Sequence, residues 1–260
     1  MNRLLGIQCF KLLWCGTMTA QGRSMKEKAV TLLLVVGILL LGRVYVDRAE
    51  QEHTAYTMGN SRDVPVVVID VGHGGKDPGK VGVNDVLEKD INLAIAKRLK
   101  SLLMQNDVMV VMTREEDKDL ASENASNRKN EDLRARVKLL EEVQPVLMIS
   151  IHQNSYPESD VDGAQVFYYS GSSEGKRLGN IVQESLKYEI KDGNHRIAKA
   201  NKDYYLLKRA VCPAIIVECG FLSNPKEAEL LNTEEYQEKL AFAISLGVME
   251  YINTAEKAEE

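Results

Sequence analysis

Two histidines and two glutamates carry side chains suited to metal-assisted hydrolysis: His73, Glu88, His152 and Glu218. Neutral imidazole is a common zinc donor, and two histidines with one carboxylate leave a fourth position for water, as catalytic rather than closed structural sites do. A second carboxylate is then available as a base. Zinc lowers the pKa of such a water to about 7, and a glutamate about 3 Å away can take its proton and return it to a leaving amine. The product of that chemistry is amide hydrolysis. No compact motif of the H-E-x-x-H kind ties the four residues together. A single histidine at a strand end is more often a hydrogen-bonded core residue, but two at matching positions, with a glutamate at a third, favour a site.

The matching positions come from the elements that carry them. Val66-Val67-Val68-Ile69 is an apolar, β-branched run suited to a strand buried on both faces, and it delivers His73 into a glycine-rich loop. Val146 to Ile151 is a second such strand and ends at His152; Ala214 to Val217 is a third and ends at Glu218. Glu88-Lys89-Asp90 opens a helix whose Ile91, Ile95, Leu99 and Leu102 share one face. The pattern further predicts strands at Val108 to Thr113, Gly163 to Tyr169 and Tyr204 to Leu207. Helices are expected around Leu133, Val137 and Leu140, over Ser173 to Ile190, and after Thr233, with Tyr236, Leu240, Ile244 and Tyr251 inward. The charged, Asn-rich stretch from Arg114 to Asn130 has no apolar period and reads as a moving loop. Strands alternating with helices predict one layered α/β domain, its sheet mostly parallel or mixed and twisted, with helices on both faces. In such sheets the functional crevice lies outside the carboxyl ends of the strands, where the four residues would then be expected to converge. Gly74 to Lys80 imitates a phosphate loop, but Val81 replaces the hydroxyl residue that holds magnesium, and Pro78 and Gly82 argue against a helix there.

The chain has 260 residues, 44% of them hydrophobic, enough for one sizeable core with an N-terminal appendage. A net charge of −5 without a Lys/Arg cluster gives no nucleic-acid footprint. Lys26 and Lys28 precede the uncharged apolar run Ala29 to Gly42, and Arg43 can snorkel to extend it to Val46. No small-x-small cleavage site follows, which favours an anchor over a removed signal. The expected organisation is an upstream extension (1–24), a signal or transmembrane anchor (25–46), a polar linker (47–63), a catalytic domain (64–254) and a polar tail (255–260). The protein is therefore expected to be exported, anchored in the membrane or secreted. Cys9, Cys15, Cys212 and Cys219 do not form a disulfide framework, and Cys212 and Cys219 read as buried free thiols.

The residues then reach a known family. Asp70-x-Gly72-His73-Gly74-Gly75-x-Asp77-x-Gly79, Glu88-Lys89-Asp90-x-Asn92-Leu93, Thr113-Arg114, Ser150-x-His152-x-Asn154 and Val217-Glu218-x-Gly220-Phe221-x-Ser223-Asn224, in that order, resemble the zinc-dependent N-acetylmuramoyl-L-alanine amidases of the Amidase_3 type. The resemblance spans Val64 to Ile252. It implies one zinc ion held by His73, Glu88 and His152, Glu218 as acid/base, and peptidoglycan as substrate, cut between muramic acid and the L-alanine of the stem peptide. Within the family, Ser150 to Tyr156 and Asn194-x-Arg196-x-Ala198-Lys199-Ala200-Asn201 look most like the germination-specific amidases of spore-forming bacteria. That narrower likeness implies work in the spore cortex, with a deacetylase, towards muramic δ-lactam. Cys219 stands where many relatives carry an apolar residue; strand alternation points its thiol into the core rather than at zinc. Asn154, Arg136, Arg196 and Lys199 are candidate substrate contacts by position, against turn or solvated-charge roles. Glu88 follows a glycine-rich loop, so an accessory protein that orders the zinc site is an expected partner. The competing class is an inactive or activator-type peptidoglycan-binding protein on the same fold.

Overall fold

In the computed structural model of the protein the described residues are 64–256, residue 192 excepted, together with Arg43. The chain divides into Met1–Arg62 and Asp63–Glu260, and the account below concerns the second part. The upstream extension, anchor and linker, with Cys9, Cys15 and His53, lie outside the described residues, Arg43 apart. Among the described residues no helix is long and apolar enough to cross a membrane.

Six strands form one mixed sheet: β1 (Val66–Val71), β2 (Met109–Met112), β3 (Leu147–Asn154), β4 (Gln165–Tyr169), β5 (Lys199–Asn201) and β6 (Ala214–Phe221), in the order β2-β1-β3-β6-β4-β5. β2, β1, β3 and β6 run parallel, whereas β4 lies antiparallel to β6 and parallel to β5. The helices are α1 (Glu88–Met104), α2 (Arg128–Val143), α3 (Ser173–Ile190), α4 (Tyr205–Arg209), α5 (Pro225–Leu231) and α6 (Glu234–Glu256).

Strand alternation sorts the interior into two cores. Val67, Ile69 and Val71 of β1, Ile149 and Ile151 of β3, and Val217 of β6 pack with Ile95, Leu99, Leu178, Val182, Leu240 and Ile244 of α1, α3 and α6. On the opposite face Val68, Met148 and Ile216 pack with Val137 and Leu140 of α2 and Leu206 and Leu207 of α4. The same parity, carried along the register Asp70↔Ser150↔Ile216 and His152↔Glu218, brings Asp70, Ser150, His152 and Glu218 to that second face. Beyond the apolar contacts of α2 and α4, this end of the face lines a cleft.

Two expectations need correction, and one helix has no counterpart among them. Tyr204 to Leu207, read as a strand from its aromatic and branched residues, is instead the start of α4, and the edge strand is the polar Lys199–Asn201. Asn201 is the cause: its Oδ1 accepts from the backbone N–H of Asp203 (2.7 Å) and Tyr204 (2.8 Å), turning the chain off the sheet edge. The segment after Arg114 is not a loose loop. Asp117 accepts from Gly75 N–H and Lys89 Nζ, Asp119 from Arg128, and Asp132 from Leu120 N–H, while α2 already begins at Arg128 after an Asn127 cap. Its order comes from polar bonds, which leave no apolar period in the sequence. Finally, α5 was not anticipated; Asn224 caps it through Lys226 and Glu227 N–H groups, with Pro225 at its first turn.

Candidate metal centre

His73 leaves β1 with a left-handed backbone, φ 60°, costly for a residue with a Cβ. Two buried guanidinium groups hold it there. Arg114 Nε donates to the His73 carbonyl at 2.8 Å and Arg136 Nη2 donates to the same oxygen at 3.0 Å. The remaining donors of these arginines reach the carbonyls of Val71, Gly72, Lys89 and Glu116 and the carboxylates of Asp70 and Asp132. The peptide turn at residues 71–73 is thus fixed by the interior of the protein.

The ring is oriented as well. Asp77 Oδ2 lies 2.8 Å from His73 Nδ1 and, because a carboxylate only accepts, holds a proton on that nitrogen, which leaves Nε2 as the nitrogen turned towards Glu88. Nε2 is 3.2 Å from Glu88 Oε2. Glu88 opens α1, is nearly fully buried, and accepts from Lys80 N–H (2.8 Å), Gln153 N–H (3.0 Å) and His152 Nδ1 (2.9 Å). Burial opposes its charge, but the two histidines outweigh this and hold the carboxyl far below the ordinary range. For His73, burial lowers the pKa, while Glu88 and Asp77 together raise it to about 8. The imidazoles lie edge to face, ring centres 5.0 Å apart.

Glycines make room for this cluster. A Cβ on Gly72 would overlap the His152 ring, and one on Gly79, at φ +69°, would meet Glu88 Oε2 at 2.6 Å and His73 Cδ2 at 2.7 Å. One donor atom each from His73, Glu88 and His152 lie mutually within 4.8 Å, and the donors of a tetrahedral zinc ion lie about 3.3 Å apart. The donor set, two imidazoles and a carboxylate kept ionised, fits zinc. Glu218 completes the arrangement from the neighbouring strand: it is 8% exposed, and its Oε2 has no hydrogen-bond partner among the described residues. Burial, reinforced by the charge of Glu88, pushes its carboxyl up to about 7 against the pull of the histidines. A buried carboxyl of that pKa, without an internal partner, is suited to exchange a proton with something bound in the cleft.

That cleft, about 320 Å³, is lined by all four residues together with Asp70, Ser150, Lys129, Arg136, Tyr204 and Tyr205 among others. A cavity of about 550 Å³ between the Asp162–Gly163 turn, α5 and α6 holds none of the four. The other expected contacts divide. Arg136 is neither a solvated helix charge nor free for a substrate carboxylate, because it is 2% exposed and its N–H groups are bonded inside the protein. Asn154, Arg196 and Lys199 do not line the cleft. Asn154 Oδ1 accepts from Ser155 N–H; Arg196 stacks over Phe221 and donates to Asp162 O and to Gln165, the residue paired with Glu218 across β4 and β6; Lys199 is exposed on β5. Cys219 is fully buried on the far face, with its thiol pushed up chiefly by burial, and Cys212 is also free. Asp77 and Arg114 carry no individual role in the sequence reading, although both stand in the motifs of the family resemblance.

Residues 67–250 match the Amidase_3 family, described as N-acetylmuramoyl-L-alanine amidase. The chain is 41% identical over 189 residues to the germination-specific N-acetylmuramoyl-L-alanine amidase of Bacillus subtilis, covering 72% of this chain and 79% of that protein. Among solved structures it is similar to the CwlD amidase of Clostridioides difficile in complex with the GerS lipoprotein (38% identity, TM-score 0.71, 73% of this chain and 99% of that one). It is also similar to the amidase AmiC2 of Nostoc punctiforme (33% identity, TM-score 0.65, 73% and 97%).

Proposed function

The chain belongs to the Amidase_3 family of N-acetylmuramoyl-L-alanine amidases, and from that premise we propose that His73, Glu88 and His152 hold one zinc ion while Glu218 acts as acid/base in cutting muramic acid from L-alanine. The observation that carries this reading is the partnerless, buried Glu218 carboxyl beside a three-donor cluster at the end of the same cleft. Bound zinc supplies a Lewis acid that polarises the scissile carbonyl and acidifies water. Glu218 takes the proton of the attacking water as its oxygen bonds to the carbonyl carbon. It then delivers that proton to the L-alanine nitrogen as the C–N bond breaks, and ends as it began. Asp77 keeps the His73 ring in the orientation that presents Nε2, and the N–H groups of Lys80 and Gln153 keep the Glu88 carboxylate aimed.

The spore role is the finer part of the reading. It rests on the likeness to a germination-specific relative, and places the activity in cortex modification, with a deacetylase completing muramic δ-lactam. The apolar run after Lys26 and Lys28 supports export with a membrane anchor. An accessory protein that orders the zinc site is supported by the relative solved with a lipoprotein; full zinc affinity of the chain alone removes that element.

The deciding experiment is mass spectrometry of muropeptides digested with and without zinc. An amidase releases an intact peptide beginning with L-alanine, whereas a peptidase with the same donors cuts within the stem. Absence of any zinc-dependent cleavage would leave only the inactive, wall-binding alternative.

A further inference from the structure

The cleft is lined by five carboxylates, Asp70, Asp77, Glu88, Asp132 and Glu218, against two cations, Arg136 and Lys129. Arg136 is committed to Asp70, Asp132 and backbone carbonyls. An adjoining cavity of about 240 Å³ shares His73, Asp77, Lys129 and Asp132 with the cleft. There Arg128 is likewise committed, to Asp119 at 2.7 Å and to the carbonyls of Ser122 and Glu123, while the exposed Lys76 lines this cavity but not the cleft. Lys129 is the cation common to both cavities, and it has neither a hydrogen bond nor an ion pair among the described residues. Its backbone, by contrast, is fixed in the first turn of α2 between the Asn127 cap, Arg128 and the Asp132–Leu120 bond. An ammonium without a hydrogen bond, whose charge acts on Asp77 across the same wall, therefore stands on a capped helix turn where the two cavities meet.

Peptidoglycan stems bring a negative charge close to the bond proposed to be cut. The residue after L-alanine is linked through its γ-carboxyl, so its α-carboxylate is left free, or capped as an amide, on the Cα that lies ~3.8 Å beyond the L-alanine Cα. A wall rich in carboxylates repels that group unless a cation meets it. We propose that Lys129 is a specificity-determining residue that binds this free α-carboxylate; the inference rests on the amidase reading above.

The test uses the full chain loaded with zinc and two muropeptides that differ only in whether that carboxyl is free or amidated. The unaltered protein is expected to favour the free carboxylate about fivefold in kcat/KM, the ~1 kcal/mol of an exposed ion pair. Lys129→Gln is expected to bring the ratio to one or below, because the carboxylate wall then meets the free carboxylate unopposed, through KM on that substrate, and Lys129→Arg to restore it. Zinc content and melting temperature stay the same in all three. An unchanged ratio in Lys129→Gln, or equal losses on both substrates, overturns the role of Lys129 and leaves the amidase reading standing. If the unaltered protein releases no L-alanine peptide from either substrate, both fall together.

Discussion

His152 and Glu218 stand side by side in register on the parallel strands β3 and β6. Their separation is therefore set by backbone hydrogen bonds at a strand spacing of about 4.8 Å rather than by flexible side chains. One is a proposed ligand and the other the proposed base, and the sheet holds both on the face that lines the cleft.

Glu218→Gln is expected to keep zinc while losing roughly 10²- to 10⁴-fold in turnover, the usual share of general acid/base catalysis. It should also stabilise the metal-free protein. The Glu218 carboxyl rises from an ordinary 4.5 to about 7 on folding, so the folded state holds a proton that the unfolded chain has released, and stability falls as pH rises through that window. Melting curves at pH 5 and 8 check this: a variant that melts below the unaltered metal-free protein at pH 8 contradicts the assignment.

Gly72→Ala is expected to push the His152 ring off its position, since the new Cβ overlaps it. Zinc affinity should drop roughly tenfold or more, the scale for disturbing a ligand's support, while the circular dichroism of the sheet persists. Competition with a chromophoric chelator measures it, and unchanged affinity refutes the close approach.

Asp70 and Arg136 form a pair buried to 2–3% exposure, 2.6 Å apart. Removing the carboxylate in Asp70→Asn leaves the buried guanidinium with Asp132 as its carboxylate partner and costs it one charge-assisted bond, about 1.5–3 kcal/mol in urea unfolding at pH 7. Burial raises the Asp70 pKa, but Arg136 and Ser150 outweigh it and hold it below 3.8. Its contribution is thus complete above the unfolded value and lost as pH falls through the folded one. The gap between the two proteins should narrow below about pH 4; a gap independent of pH speaks against the pair.

Chelation should lower the melting temperature and zinc should restore it. Zinc at a hundredfold excess over its dissociation constant adds about 2.7 kcal/mol, roughly 5–10 °C for a domain of this size. His73→Ala should lose that response, and a zinc shift that survives in it would place the metal elsewhere.

The chemistry was legible wherever a strand pattern aimed it. Valine and isoleucine runs announced β1, β3 and β6, and a parity of two from Val68, Met148 and Ile216 puts Asp70, Ser150 and Glu218 on one face. What escaped was held by polar bonds between distant residues. Arg114 and Arg136 grip a carbonyl at His73, and nothing in their local sequence says which way that carbonyl points. Asn201 turned a β-prone segment into α4 with one side-chain oxygen, and Asp117, Asp119 and Asp132 ordered a stretch that hydrophobic periodicity leaves blank.

The three donors arrive from a loop after β1, the first turn of α1 and the end of β3. His152 lies far along the chain from His73 and Glu88, so the complete proposed set would exist only once β1 and β3 are paired. Loading of the proposed ion would then be a late event in the life of the molecule, and the ion would be drawn from whatever compartment the finished domain occupies.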